Sequence, residues 1–122
     1  MHGACGRFPR SHRLLRPAEF QRIFKGEPCR YTTAYFTMLA LPNNQGHPRL
    51  GVALTKRHVK LAVERNRIRR QLRESFRLHQ NSLDGLDVVI LGRAGIDQVT
   101  SQELRAVIDR GWDNLAKRCK KS

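Results

Sequence analysis

The chain has 122 residues and carries 24 Lys and Arg against 10 Asp and Glu, a formal charge of +14 at neutral pH. Hydrophobic residues make up 39% of it, so one small domain with a modest core is expected rather than a disordered chain. No stretch approaches the ~20 apolar residues of a membrane span, and the N-terminus lacks a secretory signal. We therefore expect a single cytoplasmic domain over residues 1–122, with residues 1–13 as a mobile basic arm and residues 117–122 as a basic tail.

A short helix is predicted over residues 17–25. Pro17 suits a first helical turn, and Phe20, Ile23 and Phe24 recur at helical spacing. Two aromatic residues on so short a helix are typical of a small core and equally of a surface on which bases stack. From the residues alone both interpretations stay open.

Three further segments predict strands. Residues 34–41 are mostly apolar, with a short edge strand near residues 30–32 ahead of them and a turn at residues 42–46 behind them. In residues 50–55 large side chains alternate with small ones, so one strand face can be approached closely by another molecule. Residues 86–92 are rich in β-branched side chains and predict a buried central strand.

The charge is concentrated between the second and third of these strands. Residues 56–79 hold nine Lys and Arg against two Glu, and a helical wheel places most of the arginines opposite an apolar stripe. The stripe consists of Leu61, Ile68, Leu72 and Phe76. Arg65 alone falls inside the stripe, so we expect its side chain to point away from the neighbouring arginines. Self-repulsion at this density favours a polyanionic partner.

A last helix is predicted to begin at the capping box of residues 100–103 and to continue with apolar residues on one face as far as Cys119. The element order α-β-β(-β)-α-β-α indicates an α+β fold in which helices cover one sheet. The order of strands within the sheet stays open at this point.

Residues 62–73 read Ala-Val-Glu-Arg-Asn-Arg-Ile-Arg-Arg-Gln-Leu-Arg. This run resembles the signature of the bacterial ribonuclease P protein component, in which an Ala is followed by an Arg-Asn-Arg triplet, an aliphatic residue, two basic residues and an aliphatic-basic pair. Residues 13–24 resemble the first helix of that family and residues 50–57 its strand into a central cleft. The order of elements also agrees.

The resemblance implies a single-domain α-β sandwich with a left-handed β-α-β crossover at the arginine helix, against the usual handedness. It also implies the protein subunit of a ribonucleoprotein endonuclease that removes the 5′ leader from precursor tRNA. The catalytic centre and most of the Mg²⁺ are then expected in a large RNA. No residue of this chain is assigned a catalytic or metal-ligating role, and the implied partners are the catalytic RNA and precursor tRNA, with no membrane and no required protein partner.

Two binding surfaces follow from the resemblance. The arginine helix would contact the catalytic RNA through Arg65, Asn66, Arg67, Arg69, Arg70 and Arg73. A cleft on the sheet would hold the single-stranded leader, by stacking and positive charge, through Phe20, Phe24, Phe36, Thr55, Lys56 and Arg57. Members of the family often carry another aromatic residue near the place of Leu39, so the number of stacked bases stays open.

The residues offer no convincing nuclease site of their own, because the acidic residues are dispersed and the histidines unpaired. Asp84 and Asp87, the nearest acidic pair, flank a turn, where capping is the plain interpretation. Cys5, Cys29 and Cys119 are odd in number and widely spaced, so free thiols in a reducing compartment are expected.

Two other classes of protein remain as alternatives. A structural RNA-binding protein of the ribosomal type would share the size, the charge and the sandwich fold. A DNA-binding protein is less favoured, because neither helix-turn-helix spacing nor a dimer zipper accompanies the basic helix.

Overall fold

The computed structural model describes residues 17–43, 47–83 and 85–120, and in this part of the chain three α-helices and four strands form. In chain order these are α1 (Pro17–Lys25), β1 (Cys29–Thr32), β2 (Phe36–Pro42), β3 (Arg49–Ala53), α2 (Ala62–Leu78), β4 (Leu86–Gly92) and α3 (Ser101–Lys120). The predicted order of elements is confirmed, including the edge strand. The predicted basic arm, residues 1–13, lies outside the described residues.

The four strands form one sheet in the order β1-β2-β4-β3. β1, β2 and β4 are antiparallel neighbours, whereas β3 and β4 are parallel. Parallel neighbours need a crossover connection, and here the crossover contains α2. The predicted β-α-β unit at the arginine helix is therefore present. The left-handedness of its crossover stays a prediction.

The main core lies between one face of the sheet and the helices α2 and α3. Alternate residues of β2 and β4 point into it, and Phe76 of α2 meets Trp112 of α3 edge to face, with ring centroids 5.6 Å apart. The indole N–H of Trp112 donates to the buried hydroxyl of Ser75 at 2.7 Å, and that hydroxyl donates in turn to Asp109. The two helices are thus joined by apolar packing and by a satisfied polar contact.

The opposite face of the sheet carries α1. Ile23 packs there against Leu39 and Val89, with Phe20 half-buried beside them. The molecule is therefore a sandwich of helix, sheet and helices, as predicted. No helix in the described parts of the chain is long and apolar enough to cross a membrane.

Several predicted boundaries shift. β2 begins at Phe36 rather than at residue 34, because the Thr33 hydroxyl accepts hydrogen bonds from the backbone N–H groups of Tyr35 and Phe36, each at 3.2 Å, and turns the chain. Leu61 precedes α2 and is 62% exposed, so the predicted apolar stripe begins only at Ile68. At the start of α3 the Thr100 cap forms as predicted, at 3.1 Å to the Glu103 N–H.

The expectation of three free thiols is wrong for two of them. Cys29 in β1 and Cys119 near the end of α3 form a disulfide, with their Cα atoms 5.4 Å apart and 90 residues between them. The sheet order places β1 under the C-terminal turns of α3, where Arg118 lies over the Tyr31 ring. Spacing along the chain carries no sign of this proximity. The third cysteine, Cys5, lies outside the described residues.

Candidate nucleic-acid interface

Arg65 at the start of α2 turns back on the preceding segment. Its Nη1 donates to the carbonyl oxygens of Val59 at 2.8 Å and Lys60 at 3.0 Å. These bonds hold the connection between β3 and α2 against the helix. The predicted divergence of Arg65 from the neighbouring arginines is confirmed, and its guanidinium supports the backbone at the helix start.

Arg67 is held in place by partners on two helices. Its guanidinium bonds Glu64 one turn earlier at 2.9 Å and donates from Nη1 to the Ser101 hydroxyl of α3 at 2.8 Å. A guanidinium fixed in this way presents its remaining N–H groups without a further loss of side-chain freedom. Arg67 therefore links the arginine helix to the beginning of α3.

Asn66 and three further arginines of α2 face outward from the main core. Asn66 and Arg70 are exposed, and Arg69 and Arg73 are half-buried. A groove with a volume of about 290 Å³ lies on this face of α2. It is smaller than an open groove of about 440 Å³ beside α1. It is lined by Val63, Asn66, Arg67, Arg70 and Gln71. We call the outward face made by Asn66, Arg67, Arg69, Arg70 and Arg73 the arginine surface.

The aromatic residues predicted to hold a leader do not share one surface. Phe24 of α1 is 46% exposed, and Phe20 one turn earlier is half-buried against the small cluster under α1. Phe36, in contrast, has no exposed surface and points from β2 into the main core on the other side of the sheet. The assignment of Phe36 to leader binding is therefore wrong, because a completely buried ring cannot stack on a base.

The predicted cleft on the sheet has a floor whose residues the sequence does not identify, a row of side chains across the sheet on the side of α1. Thr32, Thr37, Leu91 and Ala53 are register partners on four adjacent strands. Residues directly opposite each other in a sheet share a face, and Leu91 belongs to the cluster under α1. All four are exposed or half-buried, so this row, the sheet floor, is an accessible strip on the face of the sheet that carries α1. Alternation within each strand indicates such a face, but only the strand order assembles it.

The segment after β3 joins the sheet floor to the arginine surface. Thr55, Lys56 and Arg57 are exposed, as predicted for the edge of a cleft. The segment is folded back by hydrogen bonds from the N–H groups of His58 and Val59 to the Thr55 carbonyl, at 3.2 and 3.0 Å. Two cationic side chains are thereby presented where the chain leaves the sheet and enters α2.

Asp87, for which the sequence favours only a capping role, is a buried carboxylate at the other end of the sheet. Asp87 has no exposed side-chain surface, and Arg49 donates to it from Nε at 2.7 Å and from Nη2 at 2.6 Å. Arg22 of α1 adds a bond of 2.5 Å and Asn43 one of 2.8 Å. Burial alone would raise the pKa of Asp87, but these donors outweigh it and hold the pKa below its ordinary value.

The same network shifts the pKa of Arg49. The hydrogen bond to Asp87 raises the pKa of Arg49 further above its ordinary value, against the opposing effect of burial, and Glu19 of α1 contributes through a 3.0 Å ion pair. Within the described ranges no group of three or more His, Cys, Asp or Glu is arranged to hold a metal ion. In the described residues, five carboxylates form ion pairs with arginines: Glu19, Glu64, Glu74, Asp87 and Asp109.

Comparison with known proteins agrees with this architecture. A model of the ribonuclease P family matches residues 8–116. A ribonuclease P protein component from Idiomarina loihiensis is 46% identical over 112 residues, which cover 92% of this chain and 90% of that protein. One from Methylococcus capsulatus is 45% identical over 92% of this chain and 87% of its own length. The chain belongs to the ribonuclease P protein family.

Solved structures of the family share the fold. The ribonuclease P protein of Staphylococcus aureus superimposes with a TM-score of 0.78 at 27% identity and covers 88% of this chain and 96% of its own. That of Thermotoga maritima gives 0.73 at 26% identity, over 84% and 96% of the two chains. The resemblance first seen in residues 62–73 is confirmed, and the ribosomal and DNA-binding alternatives give way to a protein component of a ribonuclease.

Proposed function

We propose that this chain serves ribonuclease P by binding two RNAs at once. The arginine surface of α2 binds the catalytic RNA, and the sheet floor with Phe24 and Phe20 binds the single-stranded 5′ leader of precursor tRNA. The catalytic centre and the Mg²⁺ ions belong to the RNA. The dispersed carboxylates of the described chain, each near an arginine or at the surface, support this division.

One observation carries the proposal: α1 and α2 cover opposite faces of the same sheet. A partner of α2 therefore leaves the floor beside α1 accessible. The segment from Thr55 to Lys60 connects the two surfaces, and Lys56 and Arg57 on it extend the positive charge from one to the other. Both RNAs can thus be neutralised by one small domain without competing for the same residues.

The leader surface suits a ligand of variable sequence. An exposed aromatic ring stacks on any base, and the floor of small and half-buried side chains admits a strand closely. Lys56 and Arg57 contribute backbone neutralisation without reading bases. These properties match leaders that differ from one tRNA to the next.

Two substitutions test the assignment of the surfaces. Phe24→Ala should weaken binding of precursor tRNA that carries a leader by about tenfold, the loss of one base-aromatic stack, and leave leaderless tRNA unaffected. Arg70→Ala should weaken binding of the RNA subunit and lower the slope of log affinity against log salt by about one. Dissociation constants measured over a salt series, by filter binding or fluorescence, report both effects.

Two matched controls change charge and exposed apolar surface in the same way at other places on the molecule. Arg110→Ala on α3 removes the same charge as Arg70→Ala, and Leu78→Ala shortens an exposed apolar side chain as Phe24→Ala does. Cleavage is assayed with Mg²⁺, with and without the RNA subunit. Equal effects of Phe24→Ala on leaderless tRNA would contradict the leader surface, and cleavage by protein free of RNA would contradict a catalytic centre in the RNA.

A further inference from the structure

Helix α1 is too short to be stable by itself. It has nine residues, and isolated helices below ~12–15 residues are marginal in water. Ile23 is its only fully buried side chain among those described, and the apolar cluster beneath it contains just two buried partners, Leu39 and Val89. The position of α1 on the sheet must therefore depend on further contacts.

Those contacts come from the network around Asp87. Arg22 of α1 bonds the Asp87 carboxylate at 2.5 Å, and Glu19, one turn earlier, pairs with Arg49 at 3.0 Å. Arg49 binds the same carboxylate through two nitrogens. Two points of the helix are thus tied to β3 and β4 by charge-assisted bonds, which are directional and stronger than bonds between neutral groups.

The network is suited to holding the helix rather than to binding a phosphate. Its two guanidinium groups face two carboxylates, so the cluster as a whole has no net charge. Arg49 is only 18% exposed and Asp87 is completely buried. A phosphate group placed here would be repelled by the carboxylates of Asp87 and Glu19.

The network also fixes how α1 is rotated about its axis. At about 100° per residue, Arg22 lies about 100° to one side of the buried Ile23 and Phe24 about 100° to the other. Rotation of the helix that released Arg22 from Asp87 would therefore move Phe24 relative to the sheet floor. The Arg22–Asp87 contact on one side of α1 therefore sets the direction in which the Phe24 ring points on the other side.

We propose that Asp87, acting through Arg22 and Arg49, is a positioning residue for the RNA leader. It touches no RNA. It holds α1 at the rotation at which Phe24 lies beside the sheet floor, so its network determines affinity for a strand on that floor. This inference rests on the proposed leader surface and names the group that sets its geometry.

The test uses Arg22→Gln, because Arg22 is 44% exposed and its loss leaves the core intact. Binding of precursor tRNA with a leader to the assembled enzyme should weaken by about three- to fivefold, the effect of one partly exposed ion pair, while leaderless tRNA changes by less than about twofold. Arg22→Lys, which keeps one charged donor, should restore most of the loss. Arg110→Gln on α3 controls for charge.

A double-mutant cycle separates positioning from direct contact. If Arg22 acts through α1, then Arg22→Gln should add little to the loss already caused by Phe24→Ala, because the ring that it positions is gone. The salt dependence should match that of the wild type. Asp87→Asn should cause the same selective loss of affinity for precursor tRNA with a leader, measured under conditions in which circular dichroism shows that the variant is folded.

Two results would overturn the inference. Additive losses together with a salt slope lower by about one would mean that Arg22 itself binds a phosphate. Unchanged leader affinity in Arg22→Gln would mean that α1 is positioned without this network. A wild-type enzyme that does not distinguish leader-bearing from leaderless tRNA would instead contradict the proposed leader surface, a failure visible before any variant is made.

Discussion

At the scale of single residues, Asp87 shows how burial and hydrogen bonding combine. The carboxylate has no exposed surface, yet three donors from separate segments surround it, Arg22, Asn43 and Arg49. Hydrogen bonds from charged donors outweigh the desolvation of the carboxylate, so its pKa lies below the ordinary value. Asp87 is therefore ionised in the folded protein throughout the neutral range.

This predicts how stability depends on pH. Because the folded pKa is lower than the unfolded value of about 3.9, the ionised form contributes stability that is complete above that value and is lost as pH falls through the folded pKa. Asp87→Asn should lower the free energy of unfolding by about 2–3 kcal/mol at pH 7. The difference from wild type should shrink below pH ~3.9.

Urea denaturation at pH 7 and at a series of acidic pH values measures both quantities. Asp113→Asn is the matched control, since Asp113 is exposed on α3, and should change stability by less than about 0.5 kcal/mol. An Asp87→Asn difference that stays constant as the pH falls would show that the carboxylate does not titrate as its partners require.

Phe36 illustrates the limit of carrying a residue's role over from a family resemblance. The family resemblance implies that Phe36 binds the leader together with Phe20 and Phe24. Its partner in β4, Gly92, and its neighbours in the main core place it under α2 and α3 instead. Side chains alternate along a strand, so the face on which one residue lies is decided by what covers each side of the sheet.

At the scale of elements, α2 combines two roles in adjacent residues. Ile68, Leu72 and Phe76 fix the helix on the core, and the arginine surface points outward. The helix starts without a side-chain cap, since Leu61 occupies that position. Arg65 stabilises this start instead, from within the helix, through the carbonyl groups of Val59 and Lys60.

We predict that Arg65→Ala acts mainly on folding and Arg70→Ala mainly on RNA binding. Loss of two charge-assisted bonds should lower the free energy of unfolding by about 1–2 kcal/mol for Arg65→Ala, against less than about 0.5 kcal/mol for the exposed Arg70. Thermal or urea unfolding measures the first effect. In binding to the RNA subunit at varied salt, the slope should fall by about one for Arg70→Ala alone; a fall of similar size for Arg65→Ala would refute its structural role.

At the scale of the whole molecule, the disulfide joins an early strand to the last helix. Cys29 and Cys119 are 90 residues apart in sequence, and their link ties the edge strand β1 to the C-terminal turns of α3. Arg118 reinforces the contact, with a hydrogen bond of 3.1 Å to the Arg30 carbonyl. Arg118 is thereby held near one edge of the sheet.

We predict that protein purified without reductant contains the Cys29–Cys119 link. Proteolysis without reduction, followed by mass spectrometry, should yield one peptide pair joined through these residues. Reduction should lower the free energy of unfolding by about 2–4 kcal/mol, as expected for closing a long loop. Cys5→Ser should leave the linked pair unchanged, whereas a pair that includes Cys5 would contradict the structure.

The sequence by itself determined the features that depend on neighbours along the chain. Helical spacing predicted α1 and α3. The wheel drawn for residues 56–79 separated most of the arginines from the core, and the motif in that helix pointed to the family. Each of these rests on local periodicity or on a contiguous run of residues, and a single chain segment carries all of the information.

Tertiary structure alone decided the strand order, the face of Phe36, the sheet floor, the partners of Asp87 and the Cys29–Cys119 link. The Asp87 network joins residues up to 65 positions apart and the disulfide joins residues 90 apart. Such contacts depend on which strands pair and which helices cover each face. A period of 2 or 3.6 residues shows that a face exists, but not what is packed against it.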